Sequence, residues 1–122
     1  MTPNDCLFCE LVRSGSHIRR ADGFVAVEDI NPKAEVHVLI VPERHVETLR
    51  QIGEFPAEEV RRMLEFIVET ARFLGLDDYR VLCTVGPSAG QTVFHLHWHL
   101  LGGGDLGGRL PALALAEAER ED

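Results

Sequence analysis

Apolar and polar positions alternate in short stretches at both ends of the chain, with one long helical stripe between them. Near the start, Leu7, Phe8, Leu11 and Val12 recur at helical spacing, with Asp5 placed to cap that short helix and Gly15 to stop it. Asp22-Gly23 reads as a turn. Phe24 to Val27 then predicts a strand running into Glu28-Asp29, and Asn31-Pro32 breaks it. Val36 to Val41 is a second β-branched run closed by Pro42, so the pair reads as an antiparallel hairpin. In its second strand Val36, Val38 and Ile40 share one face, while His37, Leu39 and Val41 share the other. Arg44 to Leu49 reads as a short helix or turn.

The long stripe starts at Pro56, a residue suited to the first helical position, with Glu58 and Glu59 complementing the helix dipole. Val60, Met63, Leu64, Ile67, Ala71 and Leu74 recur along it, and Gly75 supplies the stop. This stripe predicts core packing and no chemistry. Tyr79 to Val85 predicts a strand, Gly86-Pro87-Ser88-Ala89-Gly90 a loop, and Val93 to Leu101 a further strand. Strands, one good helix and strands again imply an α+β fold with a mostly antiparallel sheet. After Leu101, Gly102-Gly103-Gly104 and Gly107-Gly108 read as a flexible segment. The domain is therefore expected over residues 1–104, with 105–122 a partly flexible tail in which Pro111 starts a small helix.

A chain of 122 residues, 45% hydrophobic and 26% charged, suits one globular domain with a real core. No apolar run reaches membrane-spanning length, and the N-terminus lacks a basic start and apolar stretch, so a cytoplasmic location is expected. A net charge of -8 argues against a nucleic-acid surface, which needs clustered Lys and Arg. It leaves room for a small phosphorylated ligand held by histidines and backbone N–H groups.

The candidate chemistry lies in His95-Leu96-His97-Trp98-His99-Leu100-Leu101. In an extended strand His95, His97 and His99 share one face, and Phe94, Leu96, Trp98 and Leu100 the other. Neighbouring imidazoles then sit roughly 7 Å apart, close enough for two to reach one phosphate or metal. A half-exposed strand with histidine on its wet face would explain one such residue; three in strict alternation mark a site. Cys6 and Cys9 form a CxxC that could hold a zinc ion, serve as a redox pair, or be two unrelated core cysteines. Spacing does not choose further ligands among His37, His45 and the triplet; His17 reads as an exposed bystander and Cys83 as a small core residue.

These residues resemble the histidine triad (HIT) superfamily of nucleotide hydrolases and transferases, whose signature is His-x-His-x-His followed by two apolar residues. The likeness takes in Gly90-Gln91-Thr92-Val93-Phe94, Asp29-Ile30-Asn31-Pro32 and His37 to His45, and so runs from Cys6 to about Gly103. Leu101-Gly102-Gly103 is similar to the Hint branch, which hydrolyses purine nucleoside phosphoramidates; dinucleoside polyphosphate hydrolases usually continue with proline and arginine. The resemblance implies a structural Zn2+ on Cys6, Cys9, His45 and His95, and a closed tetrahedral shell. It implies His97 as a nucleophile forming a nucleotidyl-histidine intermediate, His99 on the phosphate and leaving group, and His37 on a non-bridging oxygen. Thr92 and nearby amides would stabilise charge, Asp29 would accept from the ribose hydroxyls, and Ile30, Thr84, Gly90 and Gln91 would line the nucleotide site. Thr84 departs from the Asn that Hint relatives often carry, which bears on leaving-group or nucleotide preference. The resemblance also implies a homodimer with joined sheets. A dinucleoside polyphosphate hydrolase is the alternative enzyme, and two other readings compete with an enzyme: a nucleotide-binding regulatory module with little turnover, and a zinc protein whose histidine strand binds metal without chemistry.

Overall fold

The computed structural model of the chain describes residues 6–104. The expected Asp5 cap and the 105–122 tail, with its Pro111 helix, lie outside them. The architecture is α+β, as the pattern predicts. Helix α1 (Leu7–Ser14) is followed by β1 (Arg19–Ala21), β2 (Phe24–Glu28), β3 (Val36–Pro42), a 3-10 helix (Leu49–Glu54), α2 (Ala57–Phe73), β4 (Tyr79–Leu82) and β5 (Trp98–Gly102). The strands form one sheet in the order β1-β2-β3-β5-β4, with every neighbouring pair antiparallel. Strand β1 carries no apolar alternation in Arg19-Arg20-Ala21, so hydrophobic pattern alone did not predict it.

Both faces of the sheet are covered, for the reason that β3 is apolar on both sides. On one face Phe24, Ala26, Val38, Ile40, Leu96 and Leu100 pack with Met63, Phe66 and Ile67 of α2. On the other, Val25, Val27, Leu39, Val41 and Val93 pack with Cys6, Phe8 and Val12 of the α1 segment. Helix α1 is capped by Cys6, whose Sγ accepts from the Cys9 N–H at 3.2 Å. His17 is half-buried rather than exposed: its Nε2 lies 2.9 Å from the Leu11 carbonyl.

Pro56 occupies the N-cap of α2, one position earlier than expected, and Gly75 follows the helix at φ +75. The buried stripe also differs by one ridge. Phe66 is fully buried and Leu64 is 47% exposed, because the face that meets the sheet runs through positions 63, 66, 67, 70 and 71. Gly102, expected in a flexible segment, is the last residue of β5 and pairs with both Val36 and Tyr79. A Cβ there would come within 2.7 Å of the Leu76 side chain, so the strand ends on glycine by close packing.

The two final strands are shorter than predicted. Strand β4 stops at Leu82 and β5 begins only at Trp98. The register of β3 and β5 pairs Ile40 with Trp98, which would bring Pro42 opposite Leu96 next. Proline has no N–H to give to a ladder, and the segment before Trp98 finds other partners. Leu96 N–H donates to the Val46 carbonyl at 2.8 Å instead.

Replacing the buried Phe66 by Ala is expected to cost about 3–5 kcal/mol, whereas Leu64→Ala should stay within about 0.5 kcal/mol. Urea midpoints of the two variants against the parent check this ordering.

Candidate active site

Alternation survives before Trp98 although the ladder does not. Leu96 and Leu100 join the α2-side core, and His95, His97 and His99 turn to the α1 side. That side is not wet: His95, His97 and His99 are 0%, 4% and 1% exposed. Phe8 of α1 meets the His97 ring edge-on with centroids 4.8 Å apart. The His97 and His99 rings are 5.2 Å apart, closer than the strand spacing because side chains lean toward one another.

Each histidine has one ring nitrogen tied to the backbone or to another ring, and that tie determines its tautomer. His97 Nδ1 lies 2.8 Å from the His95 carbonyl. A carbonyl only accepts, so Nδ1 carries the hydrogen and Nε2 carries the lone pair. His37 has the opposite arrangement: the Lys33 backbone N–H donates to its Nδ1 at 3.1 Å, which puts the hydrogen on Nε2. His37 Nε2–H then donates to His99 Nδ1 at 2.9 Å, leaving the His99 hydrogen on Nε2. His97 and His99 therefore present opposite functions, a lone pair and a donor. The His37 side chain is 0% exposed and stands behind His99, with both ring nitrogens committed inside the protein. The resemblance expected it on a phosphate oxygen.

His95 belongs to a different cluster. Its Nε2–H donates to the Pro42 carbonyl at 2.8 Å, which leaves the Nδ1 lone pair facing Cys6 Sγ at 3.2 Å and Cys9 Sγ at 3.4 Å. His45 Nδ1 lies 3.1 Å from Cys9 Sγ, and the donor atoms of all four residues fall within 4.8 Å of one another. Zinc–sulfur and zinc–nitrogen distances place neighbouring ligands of a tetrahedral ion about 3.6 Å apart, so the cluster fits one zinc with small adjustments. Burial, with help from neighbouring His45 and His97, pushes the His95 pKa down to about 4, and the Pro42 bond only partly offsets it. Burial and the adjacent Cys6 push the Cys9 thiol up to about 11, against the pull of Arg13. His95 is thus held neutral, as a metal ligand must be.

Asp29, His37 and His99 also gather three donor atoms within 4.8 Å. Their hydrogen bonding is that of a relay, not of a metal shell: His37 Nε2 already carries a hydrogen because its Nδ1 accepts from Lys33. Asp29 is buried, its Oδ1 accepts from the Asn31 N–H at 2.9 Å, and its Oδ2 lies 3.4 Å from His37 Nε2.

Beside Asp29 opens a cavity of about 120 Å³ walled by Leu7, Phe8, Leu11, Ile30 and Leu39. Ile30 is 83% exposed at its rim. The Gly86–Gly90 loop is closed by Gln91, whose Oε1 accepts from the Gly86 N–H and whose Nε2 donates to the Glu47 and Val93 carbonyls. Gln91 is buried and spends its amide on the main chain, while Thr92 beyond it is exposed. Gly90 sits at φ +111, a conformation that side chains disfavour. Thr84 follows the end of β4 and is half-buried.

The HIT domain family model matches residues 12–106. The chain belongs to the HIT family. It is 40% identical over 87 residues to an uncharacterized HIT-like protein of Chlamydia muridarum, covering 70% of this chain and 69% of that one. Protein HitA of Neisseria gonorrhoeae is 32% identical over 103 residues, covering 81% and 96%. Among solved structures, a HIT family hydrolase from Clostridium thermocellum superposes with a TM-score of 0.81 at 37% identity, covering 89% of this chain and 99% of that one. A Zn-bound histidine triad family protein from Mycobacterium smegmatis gives a TM-score of 0.70 at 29% identity, covering 89% and 81%. This HIT chain carries a Cys/His cluster compatible with zinc, and no helix among its described residues is long and apolar enough to cross a membrane.

Sequence reasoning implied a backbone carbonyl on the second ring nitrogen of His97, and the His95 carbonyl fills that place, but it missed the Pro42 carbonyl and the Lys33 N–H. Backbone atoms leave no signal in residue identity; only the proline itself hinted that the ladder stops there. It also missed Phe8 as a wall of the site, although the residue stood in the predicted α1 stripe.

Gln91→Ala removes a donor and an acceptor serving buried main-chain groups, and should lower stability by about 2–3 kcal/mol. Amide exchange should speed up at Gly86 and spare α2, as read by mass spectrometry or NMR.

Proposed function

We propose that this HIT protein is a nucleotide hydrolase that cleaves purine nucleoside phosphoramidates through a covalent nucleotidyl intermediate on His97. The observation that carries the reading is the pair of opposite tautomers on one face. His97 Nε2 bears the lone pair because Nδ1–H is spent on the His95 carbonyl. His99 Nε2 bears a hydrogen because His37 donates to its Nδ1. A nucleophile and a hydrogen-bond donor side by side suit attack at phosphorus with support of the departing group.

In the first step a His97 Nε2–phosphorus bond forms and the phosphorus–amine bond breaks. The amine leaves neutral, with a proton drawn ultimately from solvent, while His99 Nε2–H donates a hydrogen bond to the departing nitrogen. The His95 carbonyl stabilises the charge that His97 acquires through its Nδ1–H. Water then breaks the nitrogen–phosphorus bond and restores His97. Thr92 and the amides from Gly90 onward donate to the phosphoryl oxygens. The cavity beside Asp29 takes the base between Leu7, Phe8 and Ile30, and the Asp29 carboxylate accepts from the ribose hydroxyls. Thr84, where β4 leads toward the glycine loop, borders the leaving group.

A zinc ion on Cys6, Cys9, His45 and His95 would be structural, since two thiolates and two imidazoles close its shell. When bound it supplies a fixed crosslink between the start of α1, the residues after β3 and the histidine segment. A homodimer suits the sheet edge at β4, where Tyr79 and Val81 are 36% and 39% exposed. They lie on the same face as Leu100. An unpaired apolar edge of this kind is commonly covered by a second strand.

His97→Ala should lower turnover of an adenosine 5′-phosphoramidate at least a thousandfold. Acid-quenched wild-type protein should carry an AMP adduct in its mass spectrum. Undiminished turnover in that variant sinks the mechanism. Elemental analysis should find about one zinc per chain, and the Cys6→Ala, Cys9→Ala double variant should lose both the metal and several degrees of Tm.

A further inference from the structure

Asp29 stands in two places at once. One side of the residue borders the cavity, and the other faces His37, with side-chain exposures of 2% for Asp29 and 0% for His37. Asn31 N–H holds Oδ1 at 2.9 Å and so fixes the carboxylate plane. Oδ2 is buried without a hydrogen-bond partner, yet it lies 3.4 Å from His37 Nε2. That same nitrogen is 2.9 Å from His99 Nδ1. Lys33 N–H, donating to His37 Nδ1, leaves the ring a single hydrogen on this side. One N–H thus faces two acceptors, a carboxylate oxygen and an imidazole nitrogen. The hydrogen bond to the charged acceptor is intrinsically the stronger, and the shorter distance favours the imidazole.

We propose that Asp29 is a positioning residue for His99, acting through His37, so that ribose engagement of Asp29 is read out in the chemical step as well as in binding. This rests on the phosphoramidase reading above. When ribose hydroxyls donate to the Asp29 carboxylate, its lone pairs are occupied and its claim on the His37 hydrogen weakens. The hydrogen then stays with His99 Nδ1, and His99 is held with Nε2–H toward the departing group. Without the hydroxyls the hydrogen is divided between the two acceptors, and the His99 ring is held less firmly. His37 is the element with two hydrogen-bonding arrangements, and the sugar biases between them. The coupling needs no movement of the main chain.

The test compares adenosine 5′-phosphoramidates with their 2′,3′-dideoxy counterparts, each over a series of amine leaving groups, in wild type, Asp29→Asn and His37→Gln. In wild type, loss of the hydroxyls should raise KM, lower kcat about tenfold, and steepen the dependence of kcat on leaving-group basicity. In Asp29→Asn, whose amide cannot accept where Oδ2 did, the ribose and dideoxy substrates should share one kcat and one slope. His37→Gln should abolish the same difference, as a thermodynamic cycle requires. A sugar effect confined to KM in wild type overturns the proposal. So does an Asp29→Asn variant that slows both substrates equally while keeping their ratio, the mark of a merely structural role. Nitrogen-15 NMR of histidine-labelled wild type supplies a readout independent of turnover. Adenosine should shift the His37 Nε2 and His99 Nδ1 signals, and 2′,3′-dideoxyadenosine should leave them in place; equal responses to both overturn the coupling. If no phosphoramidate is cleaved by wild type, the phosphoramidase reading falls by itself, and the NMR comparison still decides whether the sugar reaches His99.

Discussion

Strand β5 lies against β3 in a single register, with Leu39 opposite His99 and Ile40 opposite Trp98. Side chains alternate with a period of two, so a slip of one residue would send His99 into the α2-side core and Trp98 into the site. Both faces resist that slip, because Leu100 and Ile40 are wholly buried against α2 while Leu39 packs on the α1 side. The same register brings His37 diagonally beside His99, which makes their 2.9 Å contact possible. It also places Pro42 where the ladder must end. The residues before Trp98 are thereby released from sheet pairing and can turn their rings toward main-chain acceptors.

That release matters because neutral imidazole is ambiguous chemistry: either nitrogen can hold the hydrogen. Here the main chain removes the ambiguity at three rings. Pro42 and His95 offer carbonyls, to His95 Nε2 and His97 Nδ1 respectively, and Lys33 offers an N–H to His37 Nδ1. Chemically identical side chains on one face therefore become a lone pair facing the two thiols, a second lone pair and a donor. The two Cys/His and Asp/His clusters have similar geometry, and it is the outer hydrogen bond that separates a metal shell from a relay. The Pro42 carbonyl leaves His95 a lone pair toward the thiols, and the Lys33 amide leaves His37 a hydrogen to donate.

Much of the fold was legible because burial imposes periodicity. The hairpin of β2 and β3, the two helices and the alternation of the histidine row all follow from apolar spacing in residues 7–101. Misreadings came where a different force won. Arg19-Arg20-Ala21 became β1 through main-chain pairing with β2, which leaves no apolar signature. Leu64 and Phe66 exchanged places because helical spacing admits two neighbouring ridges, and only contact with the sheet selects one. Gly102 read as part of a flexible segment and is a packed strand end, since glycine spelling is the same for freedom and for close approach.

The sequence by itself determined which residues share a face and which family they belong to, because both follow from residue identity at fixed spacing. It placed His95, His97 and His99 together and flagged Cys6, Cys9, His37 and His45 as candidates. It divided the labour only through the family resemblance; the physical cause of that division depends on atoms every residue shares. The Pro42 carbonyl, the His95 carbonyl and the Lys33 amide are invisible as letters, and only the folded chain brings each to its ring. The tertiary structure also decided that the histidine face is dry. Phe8 and its helix cover it, and burial is what gives each of those hydrogen bonds its weight.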